Sequence, residues 1–157
     1  MAGRNGRDTS TMSQYYDLGD ETLWNPSNGA SRLFLRQVRL FEEELELPSG
    51  LGPMEMDECA IDPVVFAAFV EALLDRHRRT GHAVVLALSE GFTATVLVLA
   101  ERAGIEPDWA RLGLPPGEPL TDVQVSRDTG AHFPPDGAHW AEGLRARARE
   151  LGRRMAH

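Results

Sequence analysis

The stretch from Asp62 to Ala103 constrains the fold most, because it holds the longest apolar runs in the chain. Gly81 divides it into two segments, and each is long enough for a helix of ordinary length. Asp62 precedes a proline and is suited to cap the first helix, since proline is favoured at the first helical position. We therefore expect one helix over about 62–80 and another over about 82–103.

The second of these segments is apolar on nearly every side, which is typical of a helix at the centre of a core. A strand over about 83–88, followed by a turn and a helix, has the same hydrophobic pattern, so both interpretations stay open here. The segment also has the length of a membrane span. Glu90 and two threonines near its centre favour a core helix, and we expect no membrane partner.

The segment 27–47 has the pattern of an amphipathic helix that stops at Pro48, with Asn25 as a candidate cap and Pro26 at the first helical position. A first apolar stripe, at spacings of 4, 3 and 4, consists of Phe34, Val38, Phe41 and Leu45. A second row consists of Leu33, Leu40 and Leu47. The helix is therefore expected to bury a wide face.

The charges of this helix are placed against its dipole. Its arginines lie in the first half and most of its glutamates in the second, at a cost of up to ~1 kcal/mol per exposed charge. A local rule that is broken without clear compensation is a weak indication of function.

The rest of the chain is expected to be short elements and loops around these helices. Residues 1–13 have the composition of a disordered leader, and 14–157 has the length of a single domain. A loop-rich segment, 106–135, leads to a C-terminal amphipathic helix. The predicted fold class is mainly α, with three to four packed helices (about 27–47, 62–80, 82–103 and 136–155) and a minor short-strand element (14–18 and 120–126).

Composition excludes several functions. The net charge of −8 argues against nucleic acid as a partner, because phosphate binding needs clustered positive charge. The single cysteine, Cys59, excludes an internal disulfide, and Asp57 and Glu58 just before it would raise its thiol pKa, which favours a structural role. The polar N-terminus lacks the pattern of a secretory signal, so we expect a cytoplasmic protein. We predict no cofactor and no metal site.

A run of acids between Glu42 and Asp62 is the second candidate feature. It contains eight acids and no base, which equals the whole net charge. A solvated face and a surface for a basic protein partner are both compatible with it. The candidate binding residues are Gln37, Glu42, Glu43, Glu46, Asp57 and Glu58. The C-terminal helix is rich in arginine, and its docking on this region, within the chain or in a second copy, would make a homo-oligomer.

Four polar residues lie at or beside the apolar faces of the predicted helices: Gln37, Glu44, His77 and Glu90. If the first three helices pack, these side chains would converge in an interhelical pocket. A buried glutamate and a histidine could act as acid and base. The alternative is a core histidine with acids that reach solvent at the helix edges.

Several short blocks follow one another along the chain: LWNPSN from Leu23, GPM from Gly52 with DEC from Asp57, IDP from Ile61, and LSEGF from Leu88. Together they resemble a family of small actinobacterial (Streptomyces-type) proteins of unknown function. The resemblance covers about residues 12–105 and implies a bacterial protein, but it brings no activity, cofactor or catalytic residue.

Together these features predict a non-enzymatic protein–protein interaction module of the immunity or regulatory adaptor type. The alternative is a small enzyme or ligand-binding domain that uses Glu44, His77 and Glu90.

Overall fold

The computed structural model describes residues 13–112, 124–125, 132–133 and 140–157. The helices in these ranges are α1 (Asn28–Leu45), α2 (Pro63–Arg79), α3 (Ala83–Arg102) and α4 (Trp140–Gly152). The strands are β1 (Tyr15–Leu18), β2 (Glu21–Trp24), β3 (Glu58–Ala60), β4 (Gln124–Val125) and β5 (His132–Phe133). The architecture is mainly helical with a minor strand element, as predicted.

The three-stranded sheet has the order β2-β1-β3. β1 and β2 are antiparallel and are joined by a turn at Gly19, whose φ of 59° suits a glycine. β3 lies parallel to β1, with Cys59 beside Tyr16. Of these strands the sequence predicted only β1. The short β4–β5 pair falls partly within the predicted strand 120–126, and the rest of that stretch lies outside the described residues.

The start of α1 differs from the prediction. Ser27 is the N-cap, and its hydroxyl accepts a hydrogen bond from the backbone N–H of Ala30 at 3.3 Å. Asn25 does not cap the helix because it directly follows β2, which ends at Trp24, and the helix begins only at Asn28. The cap of α2 was predicted correctly, since the Asp62 carboxylate accepts from Val64 and Val65 at 3.0 and 3.1 Å.

A row of aromatic rings joins the sheet to the helices. Tyr16 stacks on Trp24 at 5.2 Å between ring centroids, and the Trp24 ring meets Phe34 edge-on. Phe92 of α3 lies 5.6 Å from Phe34 and is stacked on Phe41 at 4.5 Å. Aromatic pairs at such distances add to the stabilisation from burial, so this row fixes α1 on the middle of α3.

The segment 83–102 is one uninterrupted helix, so the strand-turn-helix alternative is wrong. It is long and apolar enough to cross a membrane, with a mean hydropathy of 2.0, but half of its most apolar window is buried within the protein. Its C-terminal half lies in the core.

α4 packs on α3, not on the acidic region 42–62. Arg102, at the end of α3, donates hydrogen bonds to the carbonyl of Leu23 at 2.7 Å and to those of Gly152 and Met155 at 3.0 and 2.9 Å. The last residues then turn back to the sheet, where the N–H of Asn25 donates to Ala156. This turn ends α4 at Gly152, short of the predicted residue 155; residues 136–139 lie outside the described ranges.

At the other end of the chain, Ser13 forms a β-bridge with Ser27. The rest of the predicted leader, residues 1–12, lies outside the described ranges.

Candidate interaction surface

His77 lies in the last turn of α2, and its ring is 6.1 Å from that of Trp140 on α4. Burial lowers the pKa of His77 to about 4, so the imidazole is neutral near pH 7. Its Nδ1 is buried and has no hydrogen-bond partner among the described residues. His77 is therefore partly buried and neutral, and this nitrogen is not satisfied as it would be in a core histidine with a hydrogen-bond partner.

The other three residues of the predicted pocket stand in different surroundings. Glu44 is half-exposed and pairs with Arg76 of α2 at 2.8 Å. Glu90 is exposed on α3, and Gln37 is partly buried on α1. Within the described ranges, no hydrogen bond joins any two of these four residues. The alternative of an acid–base site stays a prediction, and these surroundings do not support it.

Cys59 is fully buried in β3, and its thiol donates to the carbonyl of Gly52 at 3.2 Å. Burial raises the pKa of Cys59 to about 11, with a further contribution from the nearby charge of Asp17. The flanking acids are therefore not the main cause of the shift. A neutral, hydrogen-bonded thiol of this kind acts as a small core residue.

Much of the acidic region 42–62 serves the fold. Glu42 accepts hydrogen bonds from the hydroxyl and the backbone N–H of Ser49. Asp62 caps α2, and Asp57 accepts from Gln14 at 3.4 Å. Four further exposed acids form neither an ion pair nor a side-chain hydrogen bond among the described residues: Glu43, Glu46, Glu55 and Glu58. The free acidic surface is therefore smaller than the sequence suggested.

The described residues include four large apolar side chains that are exposed on α1 and at the start of α3. The exposed fractions are 63% for Leu33, 52% for Leu40, 55% for Val84 and 75% for Leu88. The prediction that α1 buries its second row of leucines is wrong for Leu33 and Leu40. The reason is that the rings of Phe34 and Phe41 already fill the contact with Phe92.

These side chains flank the contact between α1 and α3. Leu40 is next to Phe41, and Leu88 lies one turn before Phe92 on α3. Arg76, close to the end of α2, reaches both Glu44 and the face of the Phe41 ring. Because α3 begins soon after α2 ends, its start lies near the part of α1 that carries Glu44 and Phe41. We call Leu33, Leu40, Val84 and Leu88 the apolar face.

Charged residues border the apolar face on α1. Arg32 and Arg36 are exposed in its first half, and Arg39 and Glu43 are exposed in its second half. The first turn contains no acid and the last turn no base, so neither end of the helix dipole is compensated by its own helix. Neither Arg36 nor Glu43 forms an ion pair within the described ranges.

A second surface feature is a cavity of about 240 Å³ between α3, residues 105–109 and α4. Its walls carry both Glu101 and Arg149, and the guanidinium of Arg145 covers the ring of Trp109 at 4.9 Å. The face of the Trp109 ring in this cavity is therefore already covered by Arg145 of the same chain. Among the described residues, no group of three histidine, cysteine or acidic side chains is placed to hold a metal ion.

These features define a mainly helical protein with a small sheet and an apolar face bordered by charge. The chain belongs to a family of unknown function, DUF6086, whose model matches residues 12–157. The match extends past residue 105, where the resemblance noted in the sequence ended. No curated protein and no solved structure matches the chain.

Proposed function

We propose that this protein is a protein–protein interaction module and that the apolar face is its contact surface. The exposure of Leu88, at 75%, together with that of Leu40 carries the proposal. Contiguous apolar side chains rimmed by polar residues are typical of protein contact sites, whereas single exposed ones are common on any protein.

The charges around the apolar face support the same proposal. Interfaces commonly combine an apolar centre with a polar rim that sets the orientation of the partner. Arg36 and Glu43 lie on such a rim, and both are free of ion pairs within the described ranges. A basic partner for the acidic region 42–62 and a role as an immunity-type or regulatory adaptor stay predictions, because they rest on charge and size alone.

Site-specific photo-cross-linking tests the proposal. Benzoylphenylalanine is placed at position 40 or 88 of the full chain in its native cells, and adducts are identified by mass spectrometry. Val64 of α2 is the matched control position, since it is an apolar side chain that is 79% exposed away from the apolar face.

We expect a discrete adduct from positions 40 and 88, weakened when Leu33→Glu is added, and no comparable adduct from position 64. Equal labelling at all three positions, or no adduct from positions 40 and 88 of a folded chain, would contradict the proposal.

A further inference from the structure

The arrangement of charge along α1 identifies a partner for the apolar face. This inference rests on the proposed function and makes it more specific. Leu33 and Leu40 are seven residues apart, so they lie within about 20° of one line along the helix. Arg36 and Glu43 are also seven residues apart and form one flank of that line.

We propose that the partner is a second copy of this chain, bound through antiparallel α1 helices about a two-fold axis beside Leu40. In a two-fold interface, residue i meets residue j of the partner and j meets i. Arg36 and Glu43 lie on opposite sides of the axis, each about 5 Å from it along the helix. Arg36 of each copy therefore meets Glu43 of the other, and the two Leu40 side chains meet near the axis.

The charge pattern of α1 distinguishes this arrangement from a parallel one. A parallel pair would place Arg36 level with Arg36 of the other copy and about 10 Å along the helix from its Glu43, so neither ion pair would form. In the antiparallel pair, the acids at the end of α1 come close to the N-terminal half of the partner helix. The charges that oppose the dipole of their own helix thus complement the dipole of the other.

The remaining apolar residues fit the same contact. Gln37 lies between Leu33 and Leu40 at spacings of 4 and 3, and a polar residue at such a place selects one register over others. We place Val84 and Leu88, which are exposed at the start of α3, at the edge of the same contact. Glu44, seven residues after Gln37, is already paired with Arg76 of its own chain, on the flank opposite Arg36 and Glu43.

Charge exchange across the axis provides the test. The wild-type chain, Arg36→Glu, Glu43→Arg and the double exchange are compared by sedimentation equilibrium, with circular dichroism to confirm the fold. The monomer mass is 17.3 kDa. Controls with the same change of charge are Arg154→Glu and Glu55→Arg, which are exposed positions away from the axis.

We expect the wild type and both controls to form a dimer, and each single exchange to weaken the dimer about tenfold or more, because two attractive pairs become repulsive. The double exchange restores the dimer. So does an equimolar mixture of the two single variants, since the glutamate introduced at position 36 of one chain and the arginine introduced at position 43 of the other then form an attractive pair.

A wild-type chain that stays monomeric at about 200 μM, or a mixture of single variants that does not associate, would overturn the inference. The cross-linking result separates this failure from that of the proposed function. An adduct of position 40 with a different protein removes the second copy as the partner and leaves the interaction module intact.

Discussion

The two halves of α3 have similar composition but opposite surroundings. From Phe92 to Ala100 most side chains are buried, including Leu99 with no exposed surface. From Ala83 to Gly91 the helix is largely open to solvent, and Leu88 is among the most exposed apolar side chains in the described residues. Hydrophobicity therefore explains why α3 is a helix and why half of it is core, but not why the other half is uncovered.

The two halves of α3 therefore serve different purposes. The C-terminal half holds the fold together, since α1, α4 and the sheet all reach it through Phe92 and Arg102. In the N-terminal half, from Ala83 to Gly91, Ser89 is the only buried residue. We infer that it contributes little to stability and is available for binding.

The largest expected effect on the free energy of unfolding distinguishes the two halves of α3. Leu99→Ala is expected to lower the free energy of unfolding by about 2–5 kcal/mol, because it removes a fully buried side chain and leaves a cavity. Leu88→Ala should change it by less than about 0.5 kcal/mol, as is usual for a surface position. Urea denaturation at a concentration where the chain is monomeric measures both. Similar losses would mean that the start of α3 is core.

The second effect concerns His77 in the last turn of α2. Its pKa is about 4 in the folded protein and about 6.5 when unfolded. The unfolded chain thus gains a proton first as the pH falls. The corresponding stability is present above about pH 6.5 and declines towards pH 4, by on the order of 2–3 kcal/mol in all. Thermal unfolding of His77→Gln should show a weaker loss over this window; an identical pH dependence in wild type and variant would contradict the assignment.

A smaller effect on stability is expected when the N-cap of α2 or of α3 is removed. Asp62→Ala should cost about 1 kcal/mol, since the carboxylate accepts two backbone hydrogen bonds at the start of a helix that packs into the core. His82 caps α3 through one bond from Val84 at 3.2 Å, in front of the exposed half. We expect His82→Ala to cost less than Asp62→Ala by chemical denaturation, and the reverse order would show that the start of α3 is firmly packed.

The smallest effect is at the ion pair between α1 and α2. Glu44→Gln should change the free energy of unfolding by at most about 0.5 kcal/mol, because the pair with Arg76 is partly exposed and solvent screens it. The same denaturation assay measures it. A loss of several kcal/mol would instead place Glu44 in a buried network at the α1–α2 contact.

Local signals in the sequence predicted the helices well. Asp62 followed by proline fixed the start of α2, and the apolar run after Gly81 indicated the long helix α3. The predicted strand 14–18 is β1. β2 was missed because its first residue, Glu21, continues the turn signal of Gly19 and Asp20. β3 was missed because it has only three residues, and its pairing with β1 depends on residues about forty positions apart.

The candidate surface was harder to predict for a physical reason. Periodicity shows that Leu33 and Leu40 share a face of α1, but it does not show whether another element covers that face. The charge pattern of α1 was visible as a broken rule, and it was the one signal in the sequence that pointed to the surface. The orphaned Nδ1 of His77 depends on the approach of Trp140, which no local pattern contains.

Hydrogen exchange on the intact chain tests the central claim that the start of α3 is completed by a partner. Exchange is followed by mass spectrometry at about 1 μM and about 200 μM, and peptides within 83–91 are compared with peptides within 92–102. We predict that 83–91 exchanges faster in the dilute chain and slows at the higher concentration, together with 33–43, while 92–102 is unchanged. Exchange in 33–43 and 83–91 that does not depend on concentration would contradict the account.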